Sequence, residues 1–496
     1  MSSPNILVIG GGISGLACAY RLQKQGFAVR LLEANQRFGG VLNTVEQDGF
    51  RFDVGPQSFL ANPAISELIE ELGLSDELLK ADPRAPRYIL LRGKLIPAPL
   101  GPGSFLSTPL ISWRTKLRIL SEPIFRSYPP DEEESIAAFI RRKFGEDVLT
   151  NLAGPFISGV YAGDPEKLSL TATFPIARAL EEKFGGIIRG AIQMRRAAKA
   201  GSSGPRPPRP ALCNFRRGTV TLVGALAKSL GEAARTATQV TALQQSNAPG
   251  EPPQFAAAIR CSSGLPSAPR AGTRGLSAPL STQIQAAAEQ LLAADAIVVA
   301  TPAQQAGGLL RAIAPQFPDL LSQIEYAPVA QIAAGYRLAQ ISRFAGNPAR
   351  GFGFLVPRTE GLRLLGTVWE SFLFANRAPE APEKMASFTS FVGGATDPEI
   401  VARPADEIGQ LVHNELAKVL GITGEPVTQY IARWERALPQ YNLGHGQIVA
   451  GLNNLCTHHP GIFLTGNYLA GPSMGACIDH ANKTAAAITQ FLRPKQ

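Results

Sequence analysis

Asn5-Ile-Leu-Val-Ile9 runs into Gly10-Gly11-Gly12-Ile13-Ser14-Gly15 and then into a helical pattern over 16–25. A second apolar run, Val29 to Leu32, ends at Glu33. The first run has the length and bulk of a buried parallel strand. The whole is therefore a strand–turn–helix–strand unit with Gly10, Gly12 and Gly15 at dinucleotide-binding spacing. Gly10 permits the tight turn, Gly12 lets backbone approach a pyrophosphate, and Gly15 lets the helix pack on the strand. The helix N-terminus turns free N–H groups toward phosphate. Glu33, eighteen residues beyond Gly15, is placed to accept hydrogen bonds from a ribose diol.

The segment after this acid selects FAD over NAD. Glu33-Ala-Asn-Gln-Arg37-Phe38-Gly39-Gly40 adds an arginine and two glycines. A second close backbone approach with a cation suits a larger nucleotide lying extended.

The chain has 496 residues, 45% of them hydrophobic and 18% charged, which provides for a large core and argues against a mainly disordered chain. A net charge of +9 admits nucleic acid, an anionic membrane surface or an acidic small molecule as partner. No basic run is interleaved with aromatics, so nucleic acid is the least favoured of these. Cys18, Cys213, Cys261, Cys456 and Cys477 lack CxxC spacing, which fits a reducing compartment and buried small apolar roles. No histidine has metal-ligand spacing, and no metal site is expected. Met-Ser-Ser-Pro leads straight into the first strand, from which neither a signal nor a transit peptide is expected. No apolar run approaches the length of a membrane span. The expected location is cytoplasmic, peripheral at the inner face of the cell membrane.

Further along, 49–59 reads as a strand ending in a Gly55-Pro56 turn over the cofactor, and 63–72 as a helix closed by Gly73. Residues 86–100 read as paired strands. The section from 104 to 200 is helical and basic, with helices over 114–120, 136–144 and 148–152 punctuated by Pro123, Pro129-Pro130 and Pro155. Its cations beside Trp113 and aliphatic residues fit either a membrane-surface contact or a solvated basic face. Residues 197–210 and 244–285 read as low-complexity segments, the second a mobile excursion from a sheet. Ala294 to Pro302 reads as a strand at another edge of the nucleotide-binding sheet. Strand-like stretches at 329–337, 352–357, 364–369 and 387–392 suggest an antiparallel sheet in a second lobe. Ile462 to Asn467 and a helix over 475–491 return to the cofactor domain.

The fold class is α/β joined to α+β: a discontinuous Rossmann-like FAD-binding domain, a mixed-sheet substrate domain and a mostly α-helical, membrane-facing lobe. The FAD-binding segments are 1–85, 211–310 (holding the flexible insert) and 431–496. The substrate domain takes 86–103 and 311–430, and the lobe takes 104–200.

Four stretches carry a resemblance over nearly the whole chain: Gly154-Pro-Phe-Ile-Ser-Gly-Val-Tyr-Ala-Gly-Asp-Pro165, Gly351-Phe-Gly-Phe-Leu-Val-Pro357, Leu365-Gly-Thr-Val368 and Phe391-Val-Gly-Gly394. With the N-terminal fingerprint, the chain resembles the flavin amine-oxidase and phytoene-desaturase superfamily, and within it the oxygen-dependent protoporphyrinogen oxidases. The resemblance implies three hydride transfers to FAD, turning a porphyrinogen into a porphyrin, with reoxidation by molecular oxygen to hydrogen peroxide. It implies that Arg87 pairs with a substrate propionate, that Leu355 and Val368 sandwich one pyrrole ring, and that Phe391 stacks on another. The Gly159 carbonyl would face the macrocycle. Val368 departs from the leucine of close relatives, and Asn467 stands where many superfamily members have aspartate. Cofactor contacts are implied at Gly10, Gly12, Gly15, Glu33, Arg37, Gly39, Gly40, Gly55, Val240, Thr301, Trp434, Gly466 and Met474. A homodimer and a contact with ferrochelatase are also implied by the resemblance. The alternatives are oxidation of coproporphyrinogen III, a carotenoid desaturase, an amine oxidase (for which 7% aromatic residues is lean) and a non-catalytic flavoprotein scaffold.

A large flat apolar ring with carboxylates at its rim calls for a pocket of Leu, Val and Phe with a charge-assisted arginine contact.

Overall fold

The computed structural model describes residues 3–201, 211–246, 253–261, 290–344, 351–379 and 384–493. Asn5–Ile9 is buried on both faces from Ile6 onward, as a central parallel strand must be. It lies between Ala28–Leu32 and Ala296–Val299 in a five-stranded parallel sheet. Ala234–Arg235 and Ile462–Leu464 form the two edges. Ala296–Val299 is thus interior rather than at an edge, because Ile462–Leu464 adds outside it. The sheet draws strands from chain regions separated by hundreds of residues, so this domain is discontinuous.

One face of this sheet packs on the helices Ile13–Lys24 and Met474–Leu492. The other packs on a three-stranded antiparallel sheet, Thr238–Ser246, Gln254–Cys261 and Gln290–Ala294. This corrects the expectation for 244–285. Gln254–Cys261 is the middle strand, with Phe255, Ala257 and Ile259 in the core. Residues 247–252 and 262–289, where the excursion was expected, lie outside the described residues, as do 202–210. The helix Ile187–Gly201 occupies the start of the other low-complexity segment.

The second sheet has seven strands in the order Thr428–Pro439, Tyr326–Arg337, Met385–Gly393, Leu364–Val368, Gly353–Leu355, Arg87–Leu91 and Lys94–Pro97. All pairs are antiparallel except Gly353–Leu355 with Arg87–Leu91. Thr428–Pro439 belongs here by its pairing with Tyr326–Arg337, so 431–439 is part of this sheet and not of the C-terminal cofactor segment. One face is closed by Ala405–Leu420, which buries Ile408, Val412 and Leu416 against Ile332, Tyr336 and Phe388. The opposite face meets Phe50, Phe52 and Val54 of the cofactor domain through Ala333 and Ala432.

The third region is helical: Trp113–Ser121, Ile136–Lys143, Glu146–Val148, Gly154–Tyr161, Pro175–Phe184 and Ile187–Gly201. Ser112 and Ser135 cap two of these helices by accepting from Thr115 N and Ala138 N. Pro155 does not end a helix here. A π-helical turn over Leu149–Ala153 joins Glu146–Val148 to Gly154–Tyr161. It sets Pro155 in the first turn of the next helix, where a missing N–H costs little.

Candidate functional site

Backbone builds the first half of the site. Gly10 has a φ of +107°, and a Cβ on it would lie 2.8 Å from the Ala300 carbonyl oxygen. A Cβ on Gly15 would overlap the Gly10 carbonyl, so close helix–strand packing depends on that glycine. Gly12 differs: no atom lies within 4 Å of where its Cβ would stand, and the turn is open there. Gly39 N donates to Gly11 O at 2.8 Å, bringing Gly39 and Gly40 beside the first glycine turn. The Arg37 guanidinium donates to the carbonyls of Phe38, Gly40 and Leu42, and so holds the shape of that second loop.

Glu33 is buried at the end of the second strand. Its Oε2 accepts from Gly11 N at 2.7 Å, and its Oε1 from Asn35 N at 2.8 Å and Asn35 Nδ2 at 2.6 Å. A carboxylate has about four lone-pair sites, which leaves room for a hydroxyl. Thr238 N donates to Glu33 O, bringing in the strand that carries buried Val240. Thr301 follows Ala300 and has a buried Oγ1 without a partner. Gly55 packs against the Val41 carbonyl, and Trp434 Nε1 donates to Val54 O at 3.1 Å. Gly466 lies just beyond the last strand of the parallel sheet, and Met474 opens the final helix, which Ser473 caps through Ala476 N. An open glycine turn, an acid with spare acceptor capacity and an orphaned hydroxyl are what an extended dinucleotide would occupy. These residues fit FAD.

Side chains build the second half. Across the seven-stranded sheet, Phe391, Gly366, Leu355 and Ile89 are successive register partners. Thr389, Val368, Gly353 and Arg87 form the parallel row two residues away. Partners share a face, and so do rows two residues apart. Arg87, Leu355, Val368 and Phe391 therefore project from one side of the sheet, while Gly353 and Gly366 allow close backbone approach between neighbouring strands, a Cβ on either meeting the Thr367 or Phe354 carbonyl. It is the side that meets the cofactor domain, since Gln331, the register partner of Phe391, donates Nε2 to Asp53 O at 2.5 Å. The helix Gly154–Tyr161 lies over it, and a Cβ on Gly159 would collide with Leu355 Cδ2.

Arg87 is exposed at the start of its strand, its guanidinium 5.1 Å from the Phe352 ring centroid. Among the described residues no carboxylate pairs with it. Phe352 was not anticipated from the sequence, though it lies within the quoted Gly351–Pro357 stretch.

A buried polar cluster also left no mark in the sequence. Asp53 and Arg377, both fully buried, pair at 3.0 Å. Glu370 accepts from Thr389 Oγ1 at 2.6 Å, and burial, against the pull of Arg377, pushes its carboxyl up to about 8. No sequence signal links positions 53, 370 and 377. Among the described residues no cluster of His, Cys, Asp and Glu could hold a metal.

Comparison with known proteins adds to this geometry. The family model of flavin containing amine oxidoreductases matches residues 13–489. A chloroplastic protoporphyrinogen oxidase of Nicotiana tabacum is 32% identical over 504 residues, covering 98% of this chain and 85% of its own. A coproporphyrinogen III oxidase of Bacillus subtilis (strain 168) is 28% identical, covering 98% of each chain. The solved structure of a candidate protoporphyrinogen oxidase from Exiguobacterium sp. 255-15 superimposes with a TM-score of 0.77 at 24% identity, over 98% of this chain and 99% of that one.

Proposed function

The chain belongs to the flavin containing amine oxidoreductase family, among whose members its full-length relatives include protoporphyrinogen oxidases, and on that premise we propose that it oxidises a porphyrinogen to the aromatic porphyrin. It is an FAD-dependent oxidoreductase. The single observation that carries the substrate reading is the shared sheet face. One cation, two aliphatic side chains and one aromatic ring line up there on the side toward the cofactor cradle.

FAD bound at the glycine turns would supply the hydride acceptor, used three times per substrate. The protein's part is orientation. Leu355 and Val368 present aliphatic surface to a pyrrole ring, and Phe391 presents its face to another. The Arg87 guanidinium, with no carboxylate partner among the described residues, takes a rim propionate by charge-assisted hydrogen bonds. Gly159 lets its helix approach closely enough to keep water from the ring and to turn its carbonyl toward it. Hydride loss is eased by electron release from the pyrrole nitrogens, so no strongly basic side chain is required at the reacting carbon. With FAD held there, molecular oxygen would serve as the final electron acceptor, at one hydrogen peroxide for each electron pair.

Protoporphyrinogen IX is favoured over coproporphyrinogen III, because two rim propionates set less charge than four against the one cation in the row of Thr389, Val368, Gly353 and Arg87. The test is anaerobic bleaching of the bound flavin by each porphyrinogen separately. Fast bleaching by protoporphyrinogen IX is the expected result. Faster bleaching by coproporphyrinogen III would move the enzyme to the activity named for its Bacillus subtilis relative. Bleaching by neither would overturn the reading.

The helical region adds a second reading, contact with an anionic membrane surface. Trp113, Leu117, Leu120, Ile124 and Phe125 are exposed next to Arg114 and Arg126. Among the described residues no helix is long and apolar enough to cross a membrane. Such a surface suits a helix lying in the interface. Sedimentation with vesicles containing phosphatidylserine, but not with neutral vesicles at high salt, is the expected result. Equal recovery in the supernatant would remove it.

A further inference from the structure

The hydrogen-bond partners of two buried acids distinguish their roles. Asp53 accepts from Thr44 Oγ1, Asn214 Nδ2, Thr219 N and Thr219 Oγ1, and its Oδ2 lies 3.0 Å from Arg377 Nη2. That is the donor set of an ionised carboxylate. Glu370 receives one hydrogen bond, from Thr389 Oγ1, and its Oε2 has no partner. A buried carboxylate there would carry its charge with a single hydrogen-bond donor to stabilise it, which favours the neutral acid. Arg377 supplies one positive charge, which Asp53 already balances. A second ionised carboxylate in this enclosure would leave a net buried negative charge, at a steep cost in desolvation.

The cluster sits at the boundary between the two halves of the site. Asp53 ends the strand that leads to Gly55, and its carbonyl is held by Gln331 of the seven-stranded sheet. Arg377 lies over the Phe374 ring. Phe374 belongs to the apolar cluster that Phe352 and Val368 pack against, and Arg87 stands on Phe352. Thr389 is the register partner of Val368.

We propose that Glu370 is a positioning residue that works in its protonated form, leaving Arg377 to Asp53 and so fixing the cofactor-side strand against the Arg87–Phe352–Val368 wall. Deprotonation gives Arg377 a second carboxylate to serve. The ion pair is then shared, and the wall that positions the substrate rim loosens. The groups facing Glu370 among the described residues are Thr389 on the neighbouring strand, Asp53 on the cofactor side and Arg377 on the following turn. The raised carboxyl of Glu370 agrees with this assignment. The unfolded chain releases this proton near the usual carboxylate range and the folded one only near 8. The folded state therefore loses stability as pH rises between those values, and the fixed wall is lost as pH passes about 8.

The test compares FAD-loaded wild type with Glu370→Gln, which keeps the shape and cannot ionise. Two arms need no substrate. Infrared spectra should contain a protonated-carboxyl C=O band near neutral pH that disappears by about pH 9.5 and is missing from Glu370→Gln. The melting temperature of wild type should fall relative to the variant as pH rises from about 5 to about 8. A third arm rests on the porphyrinogen reading: wild-type KM should rise about threefold or more above pH 8, while that of Glu370→Gln stays flat. An absent band or parallel melting curves would overturn the protonated assignment. Identical KM profiles with the band present would overturn the positioning role. Should no porphyrinogen bleach the flavin, the first two arms still decide the protonation state of Glu370.

Discussion

The cofactor cradle and the substrate face are built from different material. The cradle is mostly main chain: glycines that let backbone approach, carbonyls held by Arg37, and N–H groups satisfied by Glu33. Both of its glycine loops lie between Asn5 and Gly40, close to the roughly 30-residue span of such a unit. The substrate face is side chains from four strands, and sheet register alone brings Arg87 into line with Val368. Substitutions should therefore act differently in the two regions. In the cradle an added atom blocks the cofactor or the fold outright. On the face a lost atom weakens one contact among several.

The largest effect should come from Gly12→Val. The position has open space around it, so the chain should fold, while the added side chain fills the volume left for pyrophosphate. The purified protein should be soluble and colourless, with flavin content down about tenfold or more, measured as absorbance per protein. Gly15→Val sharpens the contrast. Its Cβ would overlap the Gly10 carbonyl, so this variant should fail to fold and be recovered in the insoluble fraction. A yellow, fully loaded Gly12→Val protein would break the assignment of the turn.

The same difference in material explains what could be read from the sequence. The glycine turn, the acid at Glu33 and the final strand and helix were legible because each rests on local spacing with one physical reason. Leu355, Val368 and Phe391 were not legible as a set from periodicity. Each is an ordinary strand residue, and only the resemblance singled them out before the register joined them. The middle strand Gln254–Cys261 was hidden because both its faces are buried and its side chains are rich in alanine, which removes the alternation that marks a strand. The Asp53–Arg377–Glu370 cluster left no trace, since Asp53 comes from a distant segment and meets Glu370 and Arg377 only in the folded core. The start of Thr428–Pro439 was assigned to the substrate domain and its remainder to the cofactor segment, because pairing rather than composition sets where a strand ends.

An intermediate effect is expected at Arg87. Replacing it by alanine removes a charge-assisted contact remote from the reacting carbon, so KM for the porphyrinogen should rise about tenfold or more while kcat changes little. Arg87→Lys should fall between the two proteins. It keeps the charge but loses the planar fork and much of the stacking on Phe352. Steady-state kinetics on FAD-loaded protein read this directly, and an unchanged KM in Arg87→Ala would remove the residue from the substrate site.

The smallest effect is expected at Val368, and it is the most exacting test of the face. Val368 is half-buried, opposite Gly353, and packs against a cluster that includes Phe374 and Phe352. Val368→Leu adds one methylene on the face that Val368 shares with Leu355 and Phe391. If the macrocycle lies against that face during turnover, the longer side chain should tighten the grip on the pyrrole ring by about the value of one buried methylene, lowering KM about two- to fourfold. If protein packs there instead, the extra methylene must overpack the cluster and would lower the melting temperature with no gain in KM. Measuring KM and melting temperature on the same preparation separates the two cases. Only the first is compatible with a ring lying across Leu355, Val368 and Phe391.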